Sequence, residues 1–269
     1  MRMTFVFLLA AALLAGCDNN NQDTDPAGAQ QGTADPQSGD GQGHTGELVR
    51  VLHTLEKTDE QCQGDGCPKV DLAWPTFENQ PTLNDAITTQ LAGMLVQNQG
   101  STPHDGTIES LVDAFLADAS DMAMASQQGW ELNATIKRQT RRGDLLTLRM
   151  DSYEYTGGAH GQPGVQYFHW DLARKQKLAL ADLLEPGKQQ AFWELARNQH
   201  QQWLDKEKLD QTFRDSWPFD RTDNVYFGKG GLVLHYNVYH IAPYAMGQPE
   251  LTIPYEKLDG IVRDEYLNP

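Results

Sequence analysis

The sequence has few positive charges for its length. Of its 269 residues, 21 are Lys or Arg and 37 are Asp or Glu, which gives a formal net charge of −16. Nucleic acids and anionic lipid surfaces are recognised through basic patches. The charge balance therefore argues against nucleic acid as a partner and leaves room for a cationic protein.

Long apolar runs are also lacking. The run over residues 5–14 is too short for a transmembrane helix, which needs about 20 residues. It follows a positive charge at Arg2 and precedes the small residues Ala15 and Gly16 and then Cys17. This order is typical of a secretory signal peptide, so residues 1–16 are predicted to be removed.

The segment Leu14-Ala15-Gly16-Cys17 resembles the bacterial lipobox, in which the cysteine is acylated and becomes the mature N-terminus. Two or more acyl chains, such as palmitate, give the stable membrane anchor that a single chain does not. The resemblance implies a lipoprotein anchored through Cys17; the alternative is an ordinary signal peptide beside a chance cysteine. Asp18 resembles a signal for retention in the inner membrane, with the outer membrane as the alternative.

Residues 18–46 contain no aromatic residue, no Leu, Ile or Val, and no Lys or Arg. Such a segment cannot bury enough apolar surface to offset its ordering entropy. Residues 17–46 are therefore predicted to be a lipid-anchored disordered linker, with a span on the order of 30 Å. It would hold a periplasmic globule clear of the lipid headgroups.

Only two cysteines remain, Cys62 and Cys67, and they lie in a Gly-rich loop. In an oxidising periplasm this spacing predicts a disulfide. A zinc site is the competing interpretation, but it needs two more ligands and none lies nearby. No cofactor is predicted.

Residues 47–269 combine strand-like and helix-like patterns. Alternating apolar residues predict strands near residues 47–57, 70–74, 130–136, 146–150, 165–172, 177–184, 225–227, 232–239 and 251–253. Apolar stripes predict helices around residues 83–95, 108–116, 186–208 and 255–262. Strand pairs interrupted by helices indicate an α+β fold with antiparallel sheets and packed helices, in two intimately associated subdomains.

Three segments together resemble a known family. Residues 70–91, with Trp74-Pro75 and Leu83-Asn84, resemble the N-terminal module of the peptidoglycan deacetylase PdaC, which lies outside its catalytic domain. Residues 153–161 with 182–184, and residues 226–255 with Ile-Ala-Pro-Tyr-Ala, resemble the C-terminal domain of unknown function of the anti-sigma factor RsiV. The resemblance implies a PdaC-like α+β subdomain over 47–155 and an RsiV-like one over 156–269.

In RsiV this extracellular region is a receptor for lysozyme. The resemblance implies a membrane-anchored periplasmic binding lipoprotein at the cell envelope, whose ligand is a lysozyme-like muramidase or peptidoglycan. Because nothing before the signal could bind a sigma factor, signalling through a cytoplasmic tail is not expected. Where relatives often have Glu, this chain has His240, so a family role that rests on that carboxylate is not carried over.

The candidate binding residues lie in two segments. A Gly-rich turn either only connects two strands or lines a groove, since binding residues concentrate on loops held by a scaffold. A Tyr-rich stretch near the C-terminus is either core packing or a recognition face. The candidates are Tyr155, Thr156, Gly157, Gly158 and His160 in the first segment and Tyr239, His240, Pro243 and Tyr244 in the second.

Catalytic motifs are lacking as well. There is neither a Gly-x-Ser-x-Gly elbow nor a zinc-protease histidine pair, so an enzyme is not favoured and no catalytic residue is assigned. A metal site formed by His160, His235 and His240 is conceivable only if the two hairpins pack together. The alternative functions are a hydrolase of envelope glycan or peptide with His160 as general base, and a structural accessory subunit of an envelope complex.

Overall fold

In the computed structural model, the described part of residues 41–269 forms one compact unit. The signal peptide, the anchor at Cys17 and the linker predicted over residues 1–46 lie outside the described residues. The described residues are 47–64, 66–97, 102, 104–122 and 129–267.

A six-stranded sheet dominates the first half of the described chain. Its strands follow one another across the sheet in chain order, and every neighbouring pair but one is antiparallel. The strands are β1 (Arg50–Thr58), β2 (Lys69–Phe77), β3 (Glu131–Arg142), β4 (Leu145–Tyr155), β5 (Gln162–Asp171) and β6 (Gln176–Leu178).

The pair β2–β3 is parallel because two helices lie between these strands, α1 (Pro81–Gln97) and α2 (Ile108–Met122). A parallel pair needs such a crossover, whereas a short turn suffices for an antiparallel pair. The predicted α+β class is confirmed, and this parallel pair is a feature that the expectation of antiparallel sheets did not include.

The apolar stripes of both helices form a core against one face of this sheet. Each buried leucine contributes on the order of 2 kcal/mol through the surface that it removes from water. The predicted stripe residues are all at most 6% exposed: Leu83, Ile87, Leu91, Met94, Leu95, Ile108, Leu111, Val112, Phe115 and Leu116.

Strand β2 continues past Pro75, where the sequence predicted that it ends. Alternate backbone N–H groups of β2 face β3, beginning with Lys69, but the pairing with β3 stops at Ala73. Pro75 therefore lies where no partner needs its missing N–H. Beyond it, the side-chain amide of Asn84 accepts the Phe77 N–H at 2.8 Å and donates to the Phe77 carbonyl at 3.0 Å.

The second half of the chain contains a three-stranded antiparallel sheet and four helices. None of the helices in the described part of the chain has both the length and the apolar composition needed to cross a bilayer. The strands are β7 (Val225–Phe227), β8 (Gly231–His235) and β9 (Glu250–Pro254), and the helices are α3 (Leu180–Leu183), α4 (Gln189–Lys206), α5 (Gln211–Ser216) and α6 (Asp264–Leu267).

Three predicted elements in this half differ from the structure. The strand expected over 177–184 ends at Leu178, because Asp182 accepts the Ala179 N–H at 2.8 Å and starts the helical turn α3. The strand expected to reach Tyr239 ends at His235, so the candidate tyrosines lie in a loop. The helix expected over 255–262 is a 3-10 turn, Tyr255–Lys257.

Side-chain amides join the two halves. Strand β6 pairs only with residues 169–171 of β5, which leaves the earlier part of β5 with an open edge. Asn224 accepts the Tyr167 N–H and donates to the Val165 carbonyl, both at 2.8 Å. Asn237 accepts the Val165 N–H at 2.9 Å. The two asparagines thus occupy the place of a neighbouring strand.

The disulfide predicted between Cys62 and Cys67 is present in the loop between β1 and β2. Its two Cα atoms are 5.6 Å apart, a separation typical of disulfides. The bond closes a small ring at the end of an antiparallel hairpin.

Candidate binding site

The connection between β4 and β5 carries the first group of predicted site residues. Gly157 and Gly158 have φ angles of +106° and +94°, which residues with a side chain rarely adopt. The Tyr155 hydroxyl donates to the Gly158 carbonyl at 3.1 Å, while Thr156 is exposed. The backbone of this turn therefore requires its glycines, and the turn leads to the exposed side chain of His160.

The side chain of His160 has three contacts. Its Nδ1 lies 3.1 Å from the Gly161 carbonyl, its ring stacks on Tyr244 with centroids 3.8 Å apart, and its Nε2 lies 3.5 Å from the Tyr239 hydroxyl. Because a carbonyl only accepts, Nδ1 carries a proton, and in the neutral ring Nε2 is the acceptor for the tyrosine.

The backbone of Tyr239 has a φ of +65°, and its side chain is 47% exposed. A positive φ is an outlier for a bulky residue and costs on the order of 1–2 kcal/mol. Such strain concentrates at functional sites. The Tyr244 hydroxyl also donates to the Gly161 carbonyl, at 3.0 Å. We refer to His160, Tyr239 and Tyr244 as the His160 cluster.

Two of the predicted site residues, His240 and Pro243, lie outside the His160 cluster. His240 follows Tyr239 directly, but its Nε2 lies 3.1 Å from Asp220 Oδ2 and its ring meets the edge of Tyr236. Backbone N–H donation from Arg221, followed by the bond to His240, lowers the pKa of the Asp220 carboxyl. Pro243 is half-buried and precedes the 3-10 turn that contains Tyr244.

The described contacts of His160 do not include a carboxylate. A catalytic histidine is usually oriented by a carboxylate, whereas the described partners of His160 are a carbonyl and two tyrosines. Of the other histidines considered for a metal, His235 bonds Glu250 and His240 bonds Asp220. Within the described ranges, no three His, Cys, Asp or Glu residues are grouped to hold a metal ion.

Sequence reasoning missed a polar row that runs from β4 to the second sheet. Arg149 donates from Nε to Asp151 Oδ1 at 2.7 Å and lies near the Tyr167 hydroxyl. Tyr167 stacks on Tyr226 with centroids 4.4 Å apart, and the Tyr226 hydroxyl donates to Glu250 at 3.2 Å. The signal was present, because the polar residues on β4 alternate with its core residues.

The polar row is held by opposite charges and by burial. The hydrogen bond from His235, whose Nδ1 lies 3.1 Å from Glu250, lowers the pKa of the Glu250 carboxyl. Burial raises the pKa values of the Tyr167 and Tyr226 hydroxyls. Both tyrosines therefore stay neutral and Glu250 stays charged at neutral pH.

Together, the two joined sheets define an α+β protein, and two of its loops meet at the exposed His160 cluster. Two family models match the sequence: "Deacetylase PdaC" over residues 62–162 and "Protein of unknown function (DUF3298)" over residues 181–256. His160 lies in the first matched segment, and Tyr239 and Tyr244 lie in the second. Both segments thus contribute to the His160 cluster.

A crystal structure of a DUF3298 family protein from Pseudomonas aeruginosa is 33% identical in sequence, with a TM-score of 0.69. The match covers 83% of this chain and 97% of the Pseudomonas chain. The chain therefore belongs to the DUF3298 family.

A member of the same family from Bacteroides fragilis is 20% identical, with a TM-score of 0.61, and the match covers 82% of this chain and 97% of the Bacteroides chain. This second likeness shows a shared fold. A comparison with curated proteins found no match.

Proposed function

We propose that this chain is a lipid-anchored binding protein of the bacterial cell envelope that recognises a lysozyme-like muramidase without catalysing a reaction. Peptidoglycan is the alternative ligand. The observation that carries the proposal is the His160 cluster, in which a strained and half-exposed tyrosine stands beside a stacked histidine and tyrosine.

Rigid exposed aromatic groups suit recognition of a protein surface. Tyrosine is enriched at interfaces because a large contact area is fixed at a small cost in side-chain entropy. Both loops of the cluster leave ordered strands, and the Tyr244 hydroxyl ties them together by donating to the Gly161 carbonyl. The net charge of −16 would attract cationic lysozymes and raise their association rate at low salt.

The resemblance to the RsiV receptor domain also supports the muramidase as ligand, and the lipobox at Cys17 supports an envelope location. A hydrolase is less well supported, because no described carboxylate contacts His160. An accessory subunit would use the same cluster to bind its partner, and co-purification of such a partner would distinguish it.

The Tyr239→Gly substitution tests the proposed surface. Glycine accepts the positive φ without strain, so the variant should fold at least as stably as wild type. Loss of a central interface tyrosine typically costs 2 kcal/mol or more, so we expect binding of lysozyme to residues 41–269 to weaken at least 30-fold. Calorimetric titration at low and at moderate salt gives the affinity.

The matched control is Asn79→Gly, which removes another exposed residue with a positive φ, of +59°, without changing the charge. It should leave lysozyme affinity unchanged. Wild-type protein that binds no lysozyme at either salt concentration would rule out the muramidase as ligand. Retention on insoluble peptidoglycan, lost in Tyr239→Gly, would then favour the alternative ligand.

The Cys17→Ser substitution tests the anchor. A serine at this position cannot form the thioether of a lipobox cysteine, so incorporation of labelled palmitate should be abolished. The double variant Cys62→Ser/Cys67→Ser is the control and should keep its label, because these sulfurs lie in the disulfide. Label that persists in Cys17→Ser, detected on a gel, contradicts the proposed lipoprotein.

A further inference from the structure

A cleft of about 390 Å³ lies between α1 and the strands β5 and β6. It shares no residue with the His160 cluster. Its volume falls in the range of sites that hold small ligands, roughly 300–1,000 Å³. Ala86 and Met94 supply apolar surface, while Gln90, Gln166 and Lys177 supply polar groups.

The polar side of the cleft is rich in hydrogen-bond donors. Lys177 donates to the Gln90 amide oxygen at 2.8 Å, and the Gln90 amide nitrogen donates to the Gln166 amide oxygen at 2.8 Å. Among the described residues, no carboxylate lies within ion-pair distance of Lys177. An ammonium group and the amide nitrogen of Gln166 are therefore left to meet an acceptor, and a carboxylate matches that charge.

Gly93 gives an independent reason to expect a ligand. It lies inside α1, where glycine destabilises a helix relative to alanine. A Cβ built on Gly93 meets no atom within 4 Å, so packing within this protein does not require a glycine. Gly93 is exposed and lines the cleft. Its small size widens a space that the protein itself leaves empty.

We propose that this cleft binds a short peptide through its terminal carboxylate. Lys177 pairs with the carboxylate, the amides of Gln90 and Gln166 bond the peptide backbone, and the space beside Gly93 accepts a small aliphatic side chain over Ala86 and Met94. The proposal does not depend on lysozyme binding, which involves the His160 cluster.

The experiment titrates the protein of residues 41–269 with trialanine peptides. A peptide with a free C-terminal carboxylate should bind, and the same peptide with an amidated C-terminus should bind at least tenfold more weakly. A third peptide with D-alanine at its last two positions distinguishes a cell-wall fragment from an ordinary peptide. Equal affinity for the free and amidated forms, or no binding at millimolar peptide, overturns the proposal.

Variants locate the site. Lys177→Gln should weaken binding of the free peptide at least tenfold, whereas Lys229→Gln, an exposed lysine in the turn between β7 and β8, should not. Gly93→Leu should abolish binding. Gly93→Ala should raise the midpoint of thermal unfolding by about 2 °C and weaken binding, which separates occlusion of the cleft from loss of the fold. Unchanged binding by Gly93→Leu overturns the assignment.

Discussion

The Asn237→Ala variant should lose about 3 kcal/mol of unfolding free energy at pH 7. Its side chain accepts hydrogen bonds from the Val165 N–H at 2.9 Å and from Gln248 Nε2 at 3.0 Å. Truncation leaves both donors without this acceptor at the junction of the two halves. An unsatisfied buried donor costs about 1–3 kcal/mol, more than the net gain from an ordinary hydrogen bond.

Urea unfolding measures this effect as a lower midpoint with an unchanged slope. The control is Asn198→Ala, an exposed asparagine on α4, which should change stability by less than about 0.5 kcal/mol. If Asn237→Ala were as stable as this control, the open edge of β5 would be covered by other means. Asn224→Ala should behave like Asn237→Ala, because it also bonds Val165.

Acidification from pH 7 to pH 4 should substantially lower the free energy of unfolding of the wild-type protein through His169. This residue is fully buried. Its Nδ1 lies 3.0 Å from the Thr147 hydroxyl, and its Nε2 lies 2.9 Å from the Val225 carbonyl. Burial lowers the pKa of His169 from 6.5 to about 4. Between these values the unfolded chain binds more protons than the folded one.

The stability that His169 contributes is therefore complete above pH 6.5 and is lost as the pH falls to about 4. A lowering of this size corresponds to about 3 kcal/mol. His169→Gln should be less stable than wild type at pH 7 but should lose about 3 kcal/mol less between pH 7 and pH 4. Urea unfolding at a series of pH values measures how the free energy of unfolding of wild type and of His169→Gln changes with pH.

His104→Gln serves as the comparison for this experiment. His104 is exposed, so its replacement should leave the pH profile of wild type unchanged. A His169→Gln profile that parallels wild type would show that other groups cause the acid sensitivity. His200 is the first of these to test, because burial, followed by the charges of Arg197 and Arg214, also lowers its pKa.

The sequence predicted the elements whose local pattern and tertiary environment agree. Both helical stripes of the first half are buried as expected, because a long amphipathic helix has one way to hide its apolar face. The end of β2 was not predictable in the same way. Pro75 stops a strand only where its N–H is needed, and that depends on how far β3 extends alongside.

The candidate site, too, was predictable from the sequence only in part. Both loops were identified from their Gly-rich and Tyr-rich composition, and the structure brings His160, Tyr239 and Tyr244 together. Chain proximity misled at His240, because the left-handed backbone at Tyr239 sends the next side chain to Asp220. The bonds of Asn224 and Asn237 to β5 had no local signal, since each partner lies more than 50 positions away.

The side chains of Asn224 and Asn237 that cover the open edge of β5 have a consequence for how this family can evolve. The first matched segment, residues 62–162, contains β2, β3 and β4 and ends where β5 begins, whereas Asn224 and Asn237, which cover the open edge of β5, lie in the second matched segment, residues 181–256. A chain that ended after β6 would keep the whole large sheet but lose both asparagines, so the uncovered part of β5 would become a sheet edge prone to pairing with other chains. Recombination that separates the two segments should therefore survive only where another element shields that edge.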